Sequence, residues 1–408
     1  MDAVEHKVKY KTPRGWLNAT VLGIGLASLL SDWSHETATA VLPAFLASVG
    51  AAAAWVGLIE GAADGLSSFA KLASGHWTDR LARRKPVMVA GYAVTTLATA
   101  SFGLATAAWQ ILVARSTAWL GRGVRTPVRK AMLAAAVTRE TYGRAFGFER
   151  MMDTLGAIVG PLSAILLFKI LSGNFSAVFL CTLVPGLGAV CAVAFLVRER
   201  ARPKVKAISF RESLRELPPR YRRFLLAVGF FGLGDCAHTL LILLATQKLA
   251  PVYGAPAAAT IAMFFYVLHN VLYAAFAFVA GWLADRIAKA HLLGCSYTLA
   301  ALMALIIVVL PMNVPTLTLV FVLGGVHVGM TETAEDSLCA ELVDESRHGT
   351  AFGVLATVNG VGDFLSSVVV GALWTAAGVQ TAFGYCLGLF LLGAVLVWRV
   401  GGRTMAAK

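Results

Sequence analysis

The chain has 408 residues, of which 58% are hydrophobic and 14% charged, with a formal net charge of +13. So small a polar fraction cannot cover a water-soluble globule of this size, which excludes a soluble enzyme and makes lipid the expected solvent. The positive charge would suit a nucleic-acid binder, but the basic residues stand in short clusters between long apolar runs, so they read as membrane topology and no nucleic-acid partner is expected.

Residues 1–15 form a polar tail with Lys7, Lys9, Lys11 and Arg14. The apolar run that follows lacks a small-residue cleavage site, so no removable signal peptide is expected. Crossing about 30 Å of hydrocarbon takes about 20 helical residues. Runs long enough lie near 17–47, 54–82, 86–107, 109–136, 143–171 and 175–197, and then near 221–250, 257–285, 289–310, 315–342, 349–377 and 380–400. The fold class is therefore an all-α membrane protein of twelve transmembrane helices in two six-helix bundles, 16–197 and 224–400. The proline-containing stretch 198–223 reads as the linker between them, and 401–408 as a closing tail. Basic residues concentrate in alternate loops: Arg80 to Lys85, Arg139 and Arg144, the linker, Arg286 and Lys289, Arg347, then Arg399 and Arg403. Both termini are expected in the cytoplasm, in a multi-pass protein of the bacterial inner membrane. Six cysteines all fall in apolar segments with no CxxC pair, and read as packing residues.

An ionisable residue deep in a bilayer costs on the order of 3 kcal/mol, so each is a functional candidate. In chain order, segment 1 carries Asp32, His35 and Glu36, whose spacings of three and four share one helical face. Asp32 lies roughly 24 Å along the helix from Trp16, near the midplane. Segment 2 carries Glu60 and Asp64. Segment 4 carries Arg115, Arg122 and Arg129 at seven-residue spacing, with Arg125 and Lys130 nearby. Segment 5 carries Asp153 and then Gly156-x-x-x-Gly160-Pro161. Segment 7 repeats the first pattern as Asp235-x-x-His238. Segment 8 carries His269 and Asn270, segment 10 His327 with Glu332, Glu335 and Asp336, and segment 11 Asn359 and Asp363.

Asp32, His35, Glu36, Glu60, Asp64, Asp235, His238, His269, Asn270 and His327 are the expected substrate- and proton-binding groups. Histidines and carboxylates of one cavity can bind and release protons. The nitrogen and oxygen donors of Asp32, His35, Asp235 and His238 would equally suit a divalent transition metal as substrate. Residue type and spacing leave both uses open, and for any single group an interhelical hydrogen bond is the competing explanation.

The two halves repeat at a fixed offset. Gly75, Asp79 and Arg80 recur 206 positions later as Gly281, Asp285 and Arg286; Gly143, Ala145, Phe146 and Gly147 recur as Gly349, Ala351, Phe352 and Gly353. Parallel repeats of this kind support rocking about a central site. At the same offset Thr126, Arg129 and Lys130 correspond to Glu332, Glu335 and Asp336, so Arg129 is expected to pair with Glu335 or Asp336 as an inner gate, and Arg115 and Arg122 are counted among the gate and latch residues. An anion site built from these arginines is the rival explanation, and the outermost cations also serve as topology signals.

Gly75-x-x-x-Asp79-Arg80-x-Ala82-Arg83-Arg84 and Gly281-x-x-x-Asp285-Arg286 resemble the loop motif of the major facilitator superfamily, and the resemblance spans the whole chain. It implies a conformational latch in which each aspartate meets a helix N-terminus and the arginine ties helix ends. Ala82 departs from the motif's second glycine, and the second copy lacks the basic run after Ala288. Arg115 is similar to the family's helix-4 arginine. Gly156, Gly160 and Pro161 resemble the helix-packing motif of its antiporters, although Ala164 and Ile165 stand where that pattern continues with glycines.

The chain has no phosphate-binding Gly-x-x-x-x-Gly-Lys-Ser/Thr loop and no nucleophile–base set, so neither ATP-driven pumping nor an enzyme is expected. The expected function is proton-coupled export, by antiport, of a small cation, metal ion or metal-chelating molecule, by a monomer that needs no cofactor. Uptake of a polar or anionic solute on the segment 4 arginines is the alternative, and a non-transporting receptor a distant third.

Overall fold

The computed structural model describes residues 15–50, 53–199 and 210–401. The basic cluster Lys7 to Arg14, the segment 200–209 and Arg403 lie outside them. The helices in chain order are α1 (Ala19–Ser48), α2 (Ala53–Arg80), α3 (Lys85–Ala100), α4 (Ala108–Ala135), α5 (Tyr142–Ile170), α6 (Phe175–Cys181), α7 (Leu183–Cys191), α8 (Phe210–Arg215), α9 (Pro219–Gly232), α10 (His238–Tyr253), α11 (Ala255–Ala284), α12 (Lys289–Val309), α13 (Val314–Leu342), α14 (His348–Ala377) and α15 (Val379–Gly401). There is no strand among the described residues. Joined end to end, α6 with α7 and α9 with α10 each make one span, so the described residues hold twelve spans in two six-helix bundles.

Eight of these spans are long and apolar enough to cross a membrane on composition alone. The other four are α1, α2 and α4, which carry polar and charged side chains singled out above, and α9–α10, whose two helices of 14 and 16 residues are each too short to cross alone. Two segments also depart from single helices. The sixth is interrupted at Thr182 and ends in a π-helical turn, Ala192–Leu196. The seventh starts at Pro219, inside the expected linker, and is unwound between Gly232 and His238.

Inside each half the packing follows one plan: α2 and α3 lie on α4 and α1 on α5, as α11 and α12 lie on α13 and α9 on α14. Between halves, α2 packs on α14 and α11 on α5. The repeated glycines make these two crossings possible. A Cβ on Gly349 would lie 2.5 Å from the Gly75 carbonyl oxygen, and one on Gly143 would lie 2.3 Å from that of Gly281. Backbone can approach backbone so closely only where both helices carry hydrogen in place of a side chain. Gly156 and Gly160 do the same within one half, with Cβ positions 2.3 Å from the Leu29 carbonyl oxygen and 2.5 Å from Glu36 Cβ.

Candidate functional site: a latched end beneath an acidic cavity

The two crossings end in matching latches. Asp79, at the end of α2, accepts the backbone N–H groups of Gly349 and Thr350 at 2.7 Å each, at the N-terminus of α14. Asp285, following α11, accepts those of Gly143 (2.7 Å) and Arg144 (3.2 Å) at the N-terminus of α5. Each carboxylate therefore satisfies free donors and the helix dipole of the opposite half. The cation on each aspartate comes from a different place. Arg84 of the loop lies 3.4 Å from Asp79, whereas Asp285 is met by Arg144 Nε at 2.6 Å from the helix it caps. Position 290, the match of Arg84, is alanine, and position 350, the match of Arg144, is threonine. The basic run missing from the second motif is thus replaced across the interface. Arg286 lies over the Trp282 ring at 3.4 Å and donates to the Trp282 carbonyl.

Above the latches, Phe146 meets its repeat counterpart Phe352 with ring centroids 5.6 Å apart, and Lys130 bonds its counterpart Asp336 at 2.6 Å. The gate expected of Arg129 with Glu335 or Asp336 does not form. Arg129 points within its own half, 3.0 Å from Glu149 and 3.5 Å from Asp153, both on α5. One residue turns a helix by about 100°, so the neighbouring Lys130 faces the other half instead. The second tie between halves is one that spacing did not reveal: Arg150 Nε lies 2.6 Å from Glu332. The signal for it was the charged run Glu149-Arg150-x-x-Asp153 in an otherwise apolar segment.

In the N-terminal half the cluster on α1 is held by α4. Asp32 lies 3.1 Å from Arg122, and Arg125 donates to Ser31 at 2.8 Å while lying 3.7 Å over the Tyr92 ring. His35 packs on Trp119 at 4.2 Å and lies 3.7 Å from Glu36. Arg115 covers Trp119 at 4.1 Å and donates to Thr39, and the Trp119 N–H donates to Asp64 at 2.7 Å. The Glu60 side chain lies outside the described residues.

The C-terminal half is built differently. The break in its seventh span follows from Gly232 and Gly234, which stand where α1 has Leu29 and Ser31 at the 203-residue offset of the Asp-x-x-His pattern. The unwound backbone is satisfied by α14: Ser366 Oγ donates to the Asp235 carbonyl at 2.6 Å, and the Ala237 N–H donates to Ser367 Oγ at 3.1 Å. Above α13 this opens a cavity of about 400 Å³ lined by Asp235, His238, His327, Glu332, Glu335, Asn359 and Asp363, together with Phe231 and Tyr266. No lysine or arginine is among its lining residues. His269 is buried behind it, its ring 4.7 Å from that of His238. Glu335 accepts from Tyr297 at 2.6 Å and from Asn359 at 2.8 Å. Asn270 is spent on the Tyr266 carbonyl of its own helix at 2.9 Å.

Asp32 and Asp235 therefore do not share one site in this conformation. Among the described residues no three His, Cys, Asp or Glu side chains are grouped as ligands of one metal ion. The metal set Asp32, His35, Asp235 and His238 fails here because Asp32 is committed to Arg122 while Asp235 and His238 line a cavity of the other half.

The comparisons agree with this architecture. A family model described as Major Facilitator Superfamily matches residues 24–268 and 235–406. An uncharacterized MFS-type transporter of Methanocaldococcus jannaschii is 28% identical over 380 residues, covering 93% of this chain and 92% of the relative. Multidrug resistance protein MdtH of Salmonella arizonae is 25% identical over 73% of each chain. The crystal structure of a bacterial homologue of the iron transporter ferroportin in an outward-facing state superposes with a TM-score of 0.75 at 15% identity, covering 94% of this chain and all of that one, a likeness of fold alone. The chain belongs to the Major Facilitator Superfamily and is a membrane transporter, not an enzyme.

Proposed function

We propose that this transporter exports a small cation in exchange for protons, and that the cavity of the C-terminal half is its binding site. The observation that carries this reading is a cavity lined by Asp235, Glu332, Glu335 and Asp363 with no basic lining residue. Glu332 meets Arg150 from outside the lining, but Asp235, Glu335 and Asp363 are in no ion pair among the described residues, and carboxylates without a countercharge in a low-dielectric setting attract a cation strongly and repel an anion. A cation and a proton exclude each other at a shared carboxylate, which suffices for antiport without any cofactor. The name of the MdtH relative, a multidrug resistance protein, supports export. The latched end carries Arg80, Arg83, Arg84, Lys85, Arg139 and Arg347, which supports a cytoplasmic setting for that end and for both termini, with the cavity facing outward. Uptake of an anion on the α4 arginines is disfavoured, since Arg122 and Arg129 already hold Asp32, Glu149 and Asp153.

Purified protein in liposomes tests the reading. An imposed pH gradient should drive tetraphenylphosphonium against its own gradient, and Asp235→Asn or Asp363→Asn should abolish this. Transport of an organic anion instead, with both variants active, would overturn it.

A further inference from the structure

Of the acids lining the cavity, Glu332 alone is also tied across the halves. Glu335 is held by Tyr297 and Asn359, both neutral and both of its own half. Glu332 meets Arg150 of α5, and the hydroxyl of Tyr273 on α11 donates to it as well. Both contacts fall on Oε2, and the side chain is 37% exposed in a cavity-lining position, so Oε1 is available to an occupant. Arg150 has two further partners, Asp153 on its own helix at 3.3 Å and, at a longer 3.9 Å, Asp336 of the other half. It can therefore leave Glu332 without becoming an unpaired buried charge, the outcome that would otherwise forbid the exchange.

We propose that a monovalent organic cation in the cavity competes with Arg150 for Glu332, so that cation occupancy itself unfastens the shorter of the two contacts Arg150 makes with the other half and favours opening of the latched end. This rests on the cation reading above and narrows its substrate class. The Phe231 and Tyr266 rings in the lining suit an apolar body with a diffuse positive charge. A volume of about 400 Å³ lies in the range of small-molecule sites. Lys130–Asp336 does not reach the cavity lining, and both it and the longer Arg150–Asp336 contact remain when Glu332 is taken, so occupancy shifts an equilibrium without abolishing closure.

The test uses full-length protein in lipid nanodiscs with tetraphenylphosphonium as probe. Its affinity is measured by equilibrium dialysis, and spin labels at Arg139→Cys and Asp344→Cys report separation of the latched ends. In the wild-type background the probe should raise the long-distance population about fivefold or more, the lower end of ordinary coupling between sites. Arg150→Gln should populate the long distance without probe and bind the probe more tightly, because a competitor has gone. Glu332→Gln should populate it without probe and lose the further response, while Arg150→Lys should restore wild-type behaviour in part. A merely structural arginine would give unchanged or weaker binding in Arg150→Gln, and that result in a monodisperse protein overturns the competition. An intact probe response in Glu332→Gln overturns it equally. Wild-type protein that binds no probe overturns the cation reading beneath it, an outcome distinct from binding that ignores Arg150.

Discussion

Asp32 and Asp235 occupy matching places in the two halves, three residues before a histidine, and meet opposite fates. On continuous α1, Asp32 lies 3.1 Å from Arg122, within a half where Arg129 likewise answers Glu149 and Asp153. At the unwound seventh span, Asp235 faces a cavity with three more carboxylates and no basic lining residue. Paired charge in the first half ties helices together, whereas in the second Asp235 is in no ion pair among the described residues, which is why the proposed cation site is placed there. The same pattern thus meets a different electrostatic setting in each half, because α4 brings Arg122 to Asp32 and no cation among the described residues reaches Asp235.

Stability should separate the halves most strongly. Arg129→Ala leaves Glu149 buried without its cation, while Asp153 keeps Arg150, and should cost about 3–5 kcal/mol of unfolding free energy in mild detergent. Asp235→Asn removes a carboxylate that no cation holds, and should change stability by about 1 kcal/mol or less. Comparable losses at the two positions would erase the distinction.

The latches give a smaller contrast. Arg84 and Arg144 serve different aspartates, so Arg84→Gln and Arg144→Gln should each weaken closure by about 1.5 kcal/mol. The losses should add in the double variant to within about 0.5 kcal/mol, as read from label distances at the latched end. A double variant no worse than either single one would mean that the two latches open as one.

The smallest effect belongs to the rim. Arg139 and Asp344 lie 3.6 Å apart with side chains 60% and 86% exposed. A double-mutant cycle there should give a coupling of under about 1 kcal/mol. The buried Lys130–Asp336 pair should couple several times more strongly, and equal values would remove burial as the reason the inner layer matters.

Twelve spans, the duplication and the loop motifs were legible in the amino-acid order because each depends on local properties: apolar length, a constant offset, and small residues at fixed spacing. Glycine repetition even marked the crossings, since Gly75, Gly143, Gly281 and Gly349 stand where backbones of opposite halves nearly touch. The break in the seventh span was within reach of the same reasoning, as Gly232 and Gly234 replace Leu29 and Ser31. It becomes tolerable only through Ser366 and Ser367 on a distant helix, which satisfy the backbone it exposes.

Ion pairing was decided by the tertiary structure. Periodicity places Arg129 and Lys130 side by side on α4, and only packing determines that Arg129 turns toward α5 while Lys130 reaches across to Asp336. Arg150, whose match at the repeat offset is Ala356, gave no symmetric signal at all. A side chain's partner depends on which helix face meets which neighbour, and a rotation of about 100° between adjacent residues is enough to change it. The sequence by itself determined which charges enter the membrane; the way the two halves pack decided which of them are answered and which face the cavity.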